Sequence, residues 1–324
     1  MSKTSELLDK AVLLALLQDQ FAEQYYDEAL YHFRKLTRRI GRILSPEYGA
    51  VLSLARRREL VAEIQEEVDE YEERLRLLAH SQLTEAATEF YNEEKKIVED
   101  VDPGNTYADP PDLSRSMFTQ YHAMNRGEVL QLEAMYRTHI RLIQDSYKDI
   151  VNRLSAIVED TPVARGYFTA ATNRNQNFLN SISITAVMFA ASIARRAFFD
   201  RNKRRFRGYQ WVSVLDSRTT DYCQSRHLLT WYYNEPELST LAAEEHPPGH
   251  FRCRSITVPI FIGDEAVESP SFEEWFERQP TETKREILGP TRYRLYADGQ
   301  ISISDVNDGL GRRRTLEELR ELIG

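Results

Sequence analysis

The residues best suited to bind a metal lie close together in the C-terminal part of the sequence. The chain has two cysteines and seven histidines, and residues 223–253 contain both cysteines and three of the histidines. Cys223 and His227 form one closely spaced pair and His250 and Cys253 another, so each pair can present two donors from one turn. Two thiolates and two imidazoles suit tetrahedral Zn²⁺. This pattern predicts a structural zinc site made of Cys223, His227, His250 and Cys253.

Two other uses of the same stretch remain open. The cysteines could be a buried thiol pair, with Asp216 and Arg218 bracing the turn that precedes Cys223. A metal-dependent nuclease or phosphoesterase could instead use histidines and an aspartate of this stretch, namely His227, His246 and His250 with Asp216 or Asp221. Thiolates favour closed structural sites, whereas hydrolysis of DNA favours carboxylates and hard metals. Because the sequence also lacks a glycine-rich phosphate loop and an HExxH motif, we expect that the protein is not an enzyme.

A second candidate site is a dense cluster of basic residues. Residues 195–207 contain seven lysines and arginines and a single acid, Asp200. The basic residues are Arg195, Arg196, Arg201, Lys203, Arg204, Arg205 and Arg207. A helix C-terminus needs only about one or two cations to complement its macrodipole, so this density predicts an anionic partner. Double-stranded DNA, bound without sequence preference, and an acidic surface of another protein both fit.

The acidity of the chain as a whole does not argue against contact with nucleic acid. The 51 acidic and 42 basic residues give a net charge of −9, but residues 59–102 alone have fifteen acids and four bases, a net charge of −11. The rest of the chain is therefore slightly basic. We interpret the acidic stretch as the solvated face of a coiled coil.

Long helices are predicted for the first two hundred residues. Apolar residues recur with helical spacing from Leu7 to Leu44, and with the narrower spacing of a coiled-coil seam from Val61 to Leu78. Three prolines in residues 102–111 force a turn, after which Asp112 is a candidate N-cap and the apolar spacing resumes from Val129 to Ile157. We expect residues 50–160 to form an antiparallel helical hairpin. A further helix is predicted from Thr172 to Asp200.

The final third of the sequence changes to short β-rich runs. Tyr209 to Leu215 and Ser255 to Phe261 read as strands. The predicted fold class is therefore α+β, with a long, mainly α-helical N-terminal region (residues 1–170) followed by a small α+β domain with short strands (residues 171–324). The longest apolar run, Ala186 to Ala194, is about half of what a bilayer span needs, so no membrane contact is expected.

Three blocks of this final third resemble a known family. The first is WVSVLDSRTTDYC, ending at Cys223, and the second is a Pro-Pro element followed by HFRCR, from His250 to Arg254. The third is the tail, FEEWFERQPTETKREILGPTRYRLYADGQISISDV and RTLEELR. In this order they resemble the C-terminal domain of the Mu F-like head morphogenesis family, the minor head proteins of tailed bacteriophages. The resemblance extends from about Thr172 to the C-terminus.

The sequence departs from the family pattern at three places. Thr220 stands where many members have a cysteine, and Ser255 stands where members end a Cys-Arg-Cys run. His227 stands at a position that is commonly aspartate in relatives. The other three predicted ligands are retained, so the resemblance is compatible with a Cys₂His₂ zinc set.

The resemblance implies a role in the virion. A member of this family is expected inside the phage head near the portal, in several copies, after synthesis in the host cytoplasm. Its expected partners are the portal protein, other head proteins and non-specifically bound double-stranded DNA, and its expected role is to assist head assembly and DNA packaging or ejection. A purely structural scaffold without DNA contact is the alternative within this class.

Overall fold

The described part of the chain forms a bundle of long helices, followed by a small sheet and short C-terminal helices. A computed structural model describes residues 2–114, 122–123, 129–154, 161–268, 270–308 and 312–323. The long helices in these ranges are α1 (Lys3–Leu44), α2 (Leu54–Val101), α3 (Leu132–Leu154) and α4 (Thr161–Arg201). Together with the sheet described below, they confirm the predicted α+β fold with a long helical N-terminal region.

The ends of the first two helices follow from local sequence signals. Pro46 lies in a short 3₁₀ turn directly after α1, where it can no longer continue the helix. The hydroxyl of Ser53 accepts the backbone N–H of Arg56 at 3.1 Å and caps the start of α2. Helix α2 ends at Val101, just before the predicted turn. Gly104 in that turn has a φ of +92°, which side chains other than glycine rarely adopt.

Helices α2 and α3 lie antiparallel and in contact. The hydroxyl of Tyr71 on α2 lies 3.0 Å from Nε2 of His139 on α3. Arg76, later on α2, lies 3.8 Å from Glu133, earlier on α3. Helix α2 also packs against the other two long helices, α1 and α4. Phe90 contacts a ring on α1, and Tyr91 contacts one on α4, with centroid separations of 5.3 Å in both cases.

The start of α3 differs from the prediction. Two short antiparallel strands precede it in the described residues, β1 (His122–Ala123) and β2 (Val129–Leu130). The helix predicted to include Val129 begins at Leu132, because Val129 is engaged in this strand pair. The Asp112 carboxylate accepts the backbone N–H and the hydroxyl of Ser114, at 2.9 and 2.6 Å, as an N-cap would. Ile157 and residues 115–121 lie outside the described residues.

The second half of helix α4 is almost entirely buried. The helix begins eleven residues before the predicted Thr172, with Pro162 in its first turn, where the missing N–H has no helical partner to lose. By length and composition α4 could cross a membrane, but 72% of its most apolar window is buried inside the protein, as in a core helix. The boundary predicted between residues 170 and 171 falls within α4, and the division into two domains stays a prediction.

A three-stranded antiparallel sheet follows α4. Its order is β4–β3–β5, with β3 (Phe206–Val212) between β4 (Thr230–Tyr232) and β5 (Ile256–Phe261). The strands predicted at Tyr209–Leu215 and Ser255–Phe261 correspond to β3 and β5. Strand β3 starts three residues earlier than predicted and ends at Val212, whereas β4 was not predicted.

One face of the sheet packs on the bundle. Phe206 of β3 contacts Phe198 and Phe199 of α4 and Phe261 of β5, with ring centroids 5.4–5.9 Å apart. These residues belong to the same hydrophobic core as the long helices. Thr4 at the start of α1 accepts the N–H of Phe261 at 3.3 Å. Trp211 of β3 belongs instead to a separate small cluster, with Tyr222, Cys223 and Cys253.

Short helices complete the described chain. They are α5 (Asp221–Arg226), α6 (Phe272–Glu277), α7 (Thr281–Ala297) and α8 (Leu316–Ile323). Helix α7 is kinked at Gly289, which has non-helical backbone angles and precedes Pro290. The last three helices share a small core of their own around Phe276 and Leu319. Arg313 ties this region to α5 through a hydrogen bond of 2.9 Å to Asp221.

Candidate metal centre

Three of the four predicted zinc ligands converge beside the sheet. Cys223 lies in the first turn of α5, while His250 and Cys253 lie in the loop that enters β5. Sγ of Cys223 is 3.0 Å from Nε2 of His250 and 3.7 Å from Sγ of Cys253, and all three ligand atoms lie within 4.8 Å of one another. Both thiols are buried, and the imidazole is partly exposed. Among the described residues, this is the one group of three or more candidate ligands close enough to share a metal ion.

The spacing of the two sulfur atoms fits a tetrahedral zinc. Two thiolates that are each about 2.3 Å from a tetrahedral zinc are about 3.8 Å apart, and the sulfur atoms of Cys223 and Cys253 are 3.7 Å apart. A sulfur and an imidazole nitrogen on the same zinc would be about 3.6 Å apart, somewhat more than the 3.0 Å between Cys223 and His250. The latter distance is that of a hydrogen bond, and a small shift of the imidazole would accommodate the metal.

The orientation of His250 suits a metal ligand. Its Nδ1 lies 2.8 Å from the carbonyl oxygen of Phe251. A carbonyl can only accept, so Nδ1 carries the hydrogen and Nε2 is the atom that faces the thiols. Metal-binding histidines are commonly oriented in this way by a hydrogen bond from the other ring nitrogen. The hydroxyl of Thr220 also lies 2.8 Å from Nε2.

Local backbone geometry brings the two ligand-bearing segments together. The Thr220 hydroxyl accepts the backbone N–H of Cys223 and caps α5. The Ser213 hydroxyl, at the end of β3, donates to the Cys223 carbonyl at 2.8 Å and so ties α5 to the sheet. Opposite α5, a Cβ on Gly249 would lie only 2.0 Å from the ring of Tyr222, so the loop before His250 requires glycine there.

Without a metal, the pKa values of the three clustered groups are shifted by burial and by one another. Burial alone raises the pKa of the Cys253 thiol and lowers that of His250. Hydrogen bonding and the opposite charges of these two groups outweigh burial, so the pKa of Cys253 lies well below its ordinary value and the pKa of His250 is raised. The hydrogen bond to Cys253, together with burial, raises the pKa of the Cys223 thiol. Metal binding would release the protons that these groups carry, because the ligands must be deprotonated.

His227 does not join the cluster, and the four-ligand prediction is wrong at this residue. Its Nδ1 accepts the N–H of Ser213 at 3.1 Å, and its Nε2 donates to the carbonyl of Pro270 at 3.2 Å. His227 is the C-cap residue of α5, where the backbone leaves the helix and turns the imidazole away from Cys223. Both ring nitrogens are therefore occupied in joining β3 to the segment before α6, a structural role.

Asp216 and Arg218 are the residues expected to brace the turn before Cys223, and the main partner of Asp216 is Arg254. The two carboxylate oxygens of Asp216 each accept from the guanidinium of Arg254 at 2.6 Å, and one also accepts the backbone N–H of Arg218 at 2.9 Å. The Arg254 hydrogen bonds lower the pKa of Asp216 to about 2. The Arg218 side chain is 78% exposed and only 3.5 Å from the carboxylate. Sequence reasoning missed Arg254, although its position beside Cys253 was a usable signal.

The residues of the alternative nuclease site are held apart. His246 packs against the ring of Tyr209 with a centroid separation of 4.5 Å. Asp221 accepts hydrogen bonds from Arg313, and Asp216 from Arg254. Of that set, His250 alone lies in the cluster of described ligands.

The basic cluster is smaller than the sequence predicts. Arg195 is buried and forms a 2.9 Å ion pair with Glu94 of α2, with both side chains 6% exposed. Its assignment to an anion-binding surface is therefore wrong, because an interior carboxylate already neutralises it. Arg207 pairs with Glu235 at 2.8 Å and lies over the ring of Tyr232.

The remaining bases lie at or just beyond the end of α4. Arg196 lies 3.8 Å from Glu244, and Lys203 lies 2.9 Å from Asp200. Arg201, Lys203, Arg204 and Arg205 are exposed. Arg204 and Arg205 form no ion pair with any residue that the structure describes. The four exposed bases at positions 201 and 203–205 are referred to below as the basic turn.

Comparisons with protein-family models, with curated proteins and with solved structures find no match to this chain. The likeness to phage minor head proteins therefore rests on the three sequence blocks. Two of these blocks supply Cys223, His250 and Cys253.

Proposed function

We propose that this chain is a minor head protein of a tailed bacteriophage whose C-terminal region is stabilised by a structural zinc ion. The observation that carries the proposal is the meeting of Cys223, His250 and Cys253. These residues come from the two separate sequence blocks that resemble the head morphogenesis family. Their convergence is what is expected if the blocks form one structural unit in this chain, despite the serine at position 255.

Zinc would be held by two thiolates and one imidazole, and its contribution would be structural. The ligands connect α5 with the loop that enters β5, and this loop contains Pro247, Pro248 and Gly249 and little apolar surface. Because an unfolded chain does not present a preformed site, the free energy of metal binding adds to the free energy of folding.

The helical bundle supplies an interaction surface for other head proteins. Its acidic α2 and the basic turn at the end of α4 give it surfaces of opposite charge. The basic turn is suited to phosphate groups of packaged DNA or to an acidic surface of the portal protein.

A second candidate is a scaffold that contacts head proteins but not DNA. The burial of Arg195 and the pairing of Arg207 with Glu235 favour it, because they remove two of the seven predicted DNA contacts.

The virion role is tested in the phage that encodes the chain. Mass spectrometry of purified virions and of DNA-free procapsids should detect the protein in both, and it should co-purify with the portal protein from detergent-free lysates. Cys253→Ser, which removes a ligand, should reduce incorporation. The exposed substitution Arg58→Ala on α2 should leave it unchanged. Absence of the protein from both particles would overturn the proposal.

A further inference from the structure

The cluster supplies three protein ligands to a metal that prefers four. In the described residues, no additional cysteine, histidine, aspartate or glutamate places a ligand atom within the group. Structural zinc sites are almost always four-coordinate. One coordination position must therefore be taken by a group that is not one of these side chains.

A small hollow adjoins two of the three ligands. It has a volume of about 20 Å³ and is bordered by Cys223 and His250. Such a volume accommodates about one water-sized atom. Cys253 does not border the hollow and is fully buried. The open coordination position is therefore most accessible from the side of Cys223 and His250.

Three arginines also border this hollow. They are Arg218, Arg252 and Arg254. Arg254 is neutralised by Asp216, and Arg252 donates hydrogen bonds to the neutral side chains of Ser181 and Asn180 on α4, at 3.0 and 3.4 Å. Zn²⁺ and two thiolates sum to zero charge, so the surroundings of the hollow are left with a net positive charge. An oxyanion is the ligand that this charge favours.

A larger cleft adjoins the hollow and limits the size of the ligand. The cleft has a volume of about 540 Å³ and shares Arg218, Arg252 and His250 with the hollow. Its far wall belongs to α1 and carries Asp19 and Glu23. Two carboxylates there disfavour a polyanion such as DNA, but leave room for a small anion next to the arginines.

We infer that the zinc centre takes a small oxyanion, a carboxylate or a phosphate, as its fourth ligand, with Arg218 holding the anion. This inference rests on the zinc centre proposed above. The role falls to Arg218 because its side chain is 78% exposed and forms only a 3.5 Å ion pair with Asp216. Arg252 and Arg254 are held more firmly, by hydrogen bonds to α4 and to both carboxylate oxygens of Asp216.

The test uses the full-length protein loaded with Co²⁺ in place of zinc, because the d–d bands of cobalt report its ligands. Acetate and inorganic phosphate are titrated separately at constant ionic strength, with perchlorate as the non-coordinating reference. A saturable change in the bands with either anion, absent with perchlorate, supports the inference. A response to acetate alone indicates a carboxylate ligand, and a response to phosphate alone indicates a phosphate.

Arg218→Ala should lower the affinity for the anion about tenfold, the loss expected for one charge-assisted hydrogen bond. The control Arg58→Ala, an exposed arginine on α2, should titrate as the wild type. Cobalt that binds with a spectrum unchanged by both anions would overturn the inference and leave the zinc centre standing. Failure to bind cobalt or zinc at all would overturn both, and an unaltered affinity in Arg218→Ala would exclude the role of that arginine.

Discussion

At the level of single residues, the structure distinguishes the candidate ligands that converge from a nearby histidine that does not join them. Cys223, His250 and Cys253 meet, whereas His227 has both ring nitrogens occupied by Ser213 and Pro270. The pattern of residue types predicted the cysteines and one histidine of the cluster. It could not predict the direction of an imidazole at a helix C-cap, because spacing along the chain does not encode where the backbone leaves the helix.

The ligand set makes a direct prediction about metal content. Purified wild-type protein and His227→Gln should each contain about one zinc per chain, since glutamine retains a donor and an acceptor and His227 is not a ligand. Cys253→Ser should contain almost none and should melt at a lower temperature, because metal binding contributes to folding. Elemental analysis and thermal unfolding followed by circular dichroism check this. Loss of zinc from a folded His227→Gln protein would contradict the three-ligand set.

The Asp216–Arg254 pair predicts a pH dependence of stability. The pKa of Asp216 is about 2 in the folded protein, below its ordinary value. Its contribution is therefore fully present above pH ~4 and is lost as the pH falls through about 2. Asp216→Asn should reduce the free energy of unfolding by on the order of 1 kcal/mol at neutral pH, after allowance for solvent screening. The difference in the free energy of unfolding between Asp216→Asn and the wild type should become smaller in acid.

Urea unfolding at a series of pH values below 7 measures this difference. Asp149→Asn, which removes an exposed ion pair with Arg153 on α3, is the matched control and should change stability little at any pH. A difference for Asp216→Asn that stays constant down to pH ~2 would show that the carboxylate charge is not what stabilises the turn.

At the level of elements, α2 has more than one partner. Tyr71 contacts Phe33 on α1 as well as His139 on α3, with ring centroids about 6 Å apart in each case. A hairpin of α2 and α3 alone would expose the apolar surface that α1 and α4 cover. Local periodicity predicted each helix, but it does not specify how many other helices pack against the apolar residues of α2.

An isolated fragment tests this dependence. Residues 45–159 should be mostly helical by far-UV circular dichroism, and should self-associate, because their uncovered apolar faces need partners. Analytical ultracentrifugation of the fragment, with the full-length protein as the reference, measures the association. A helical fragment that stays monomeric at all concentrations would show that α2 and α3 are sufficient as a pair, and a spectrum without helix would contradict the helical assignment.

For the whole molecule, ion pairs between residues far apart in sequence decide which basic side chains remain available to bind an anionic partner. Glu94, which neutralises Arg195, lies 101 residues away in sequence, so no local pattern could reveal the pair. Similarly, β4 has only three residues and depends on pairing with β3 for its existence. The long helices, the two longer strands and the turn after α2 were predictable because each has a local signal of periodicity, β-branched residues or proline.

Binding of duplex DNA should depend on the basic turn alone. Replacing Arg201, Lys203, Arg204 and Arg205 by alanine should reduce the slope of log affinity against log salt by about one for each phosphate that the variant no longer neutralises. The matched control replaces three exposed arginines and a lysine elsewhere, Arg58, Lys148, Arg278 and Arg320, and removes the same charge. Fluorescence anisotropy with two unrelated duplexes measures both slopes. Equal slopes for the two variants would assign the basic turn to a protein partner or to none.

The joint between α4 and the sheet has a mechanical consequence. Helix α4 has 41 residues, which at the rise of an α-helix makes a rod about 60 Å long. Only four residues separate it from β3, and Asn202 among them is fixed by hydrogen bonds to Phe198 and Ala108. A displacement of the sheet is therefore passed to the end of α4 with little slack at the joint. Under the virion role proposed above, a force on the sheet would reach the helical bundle through this joint.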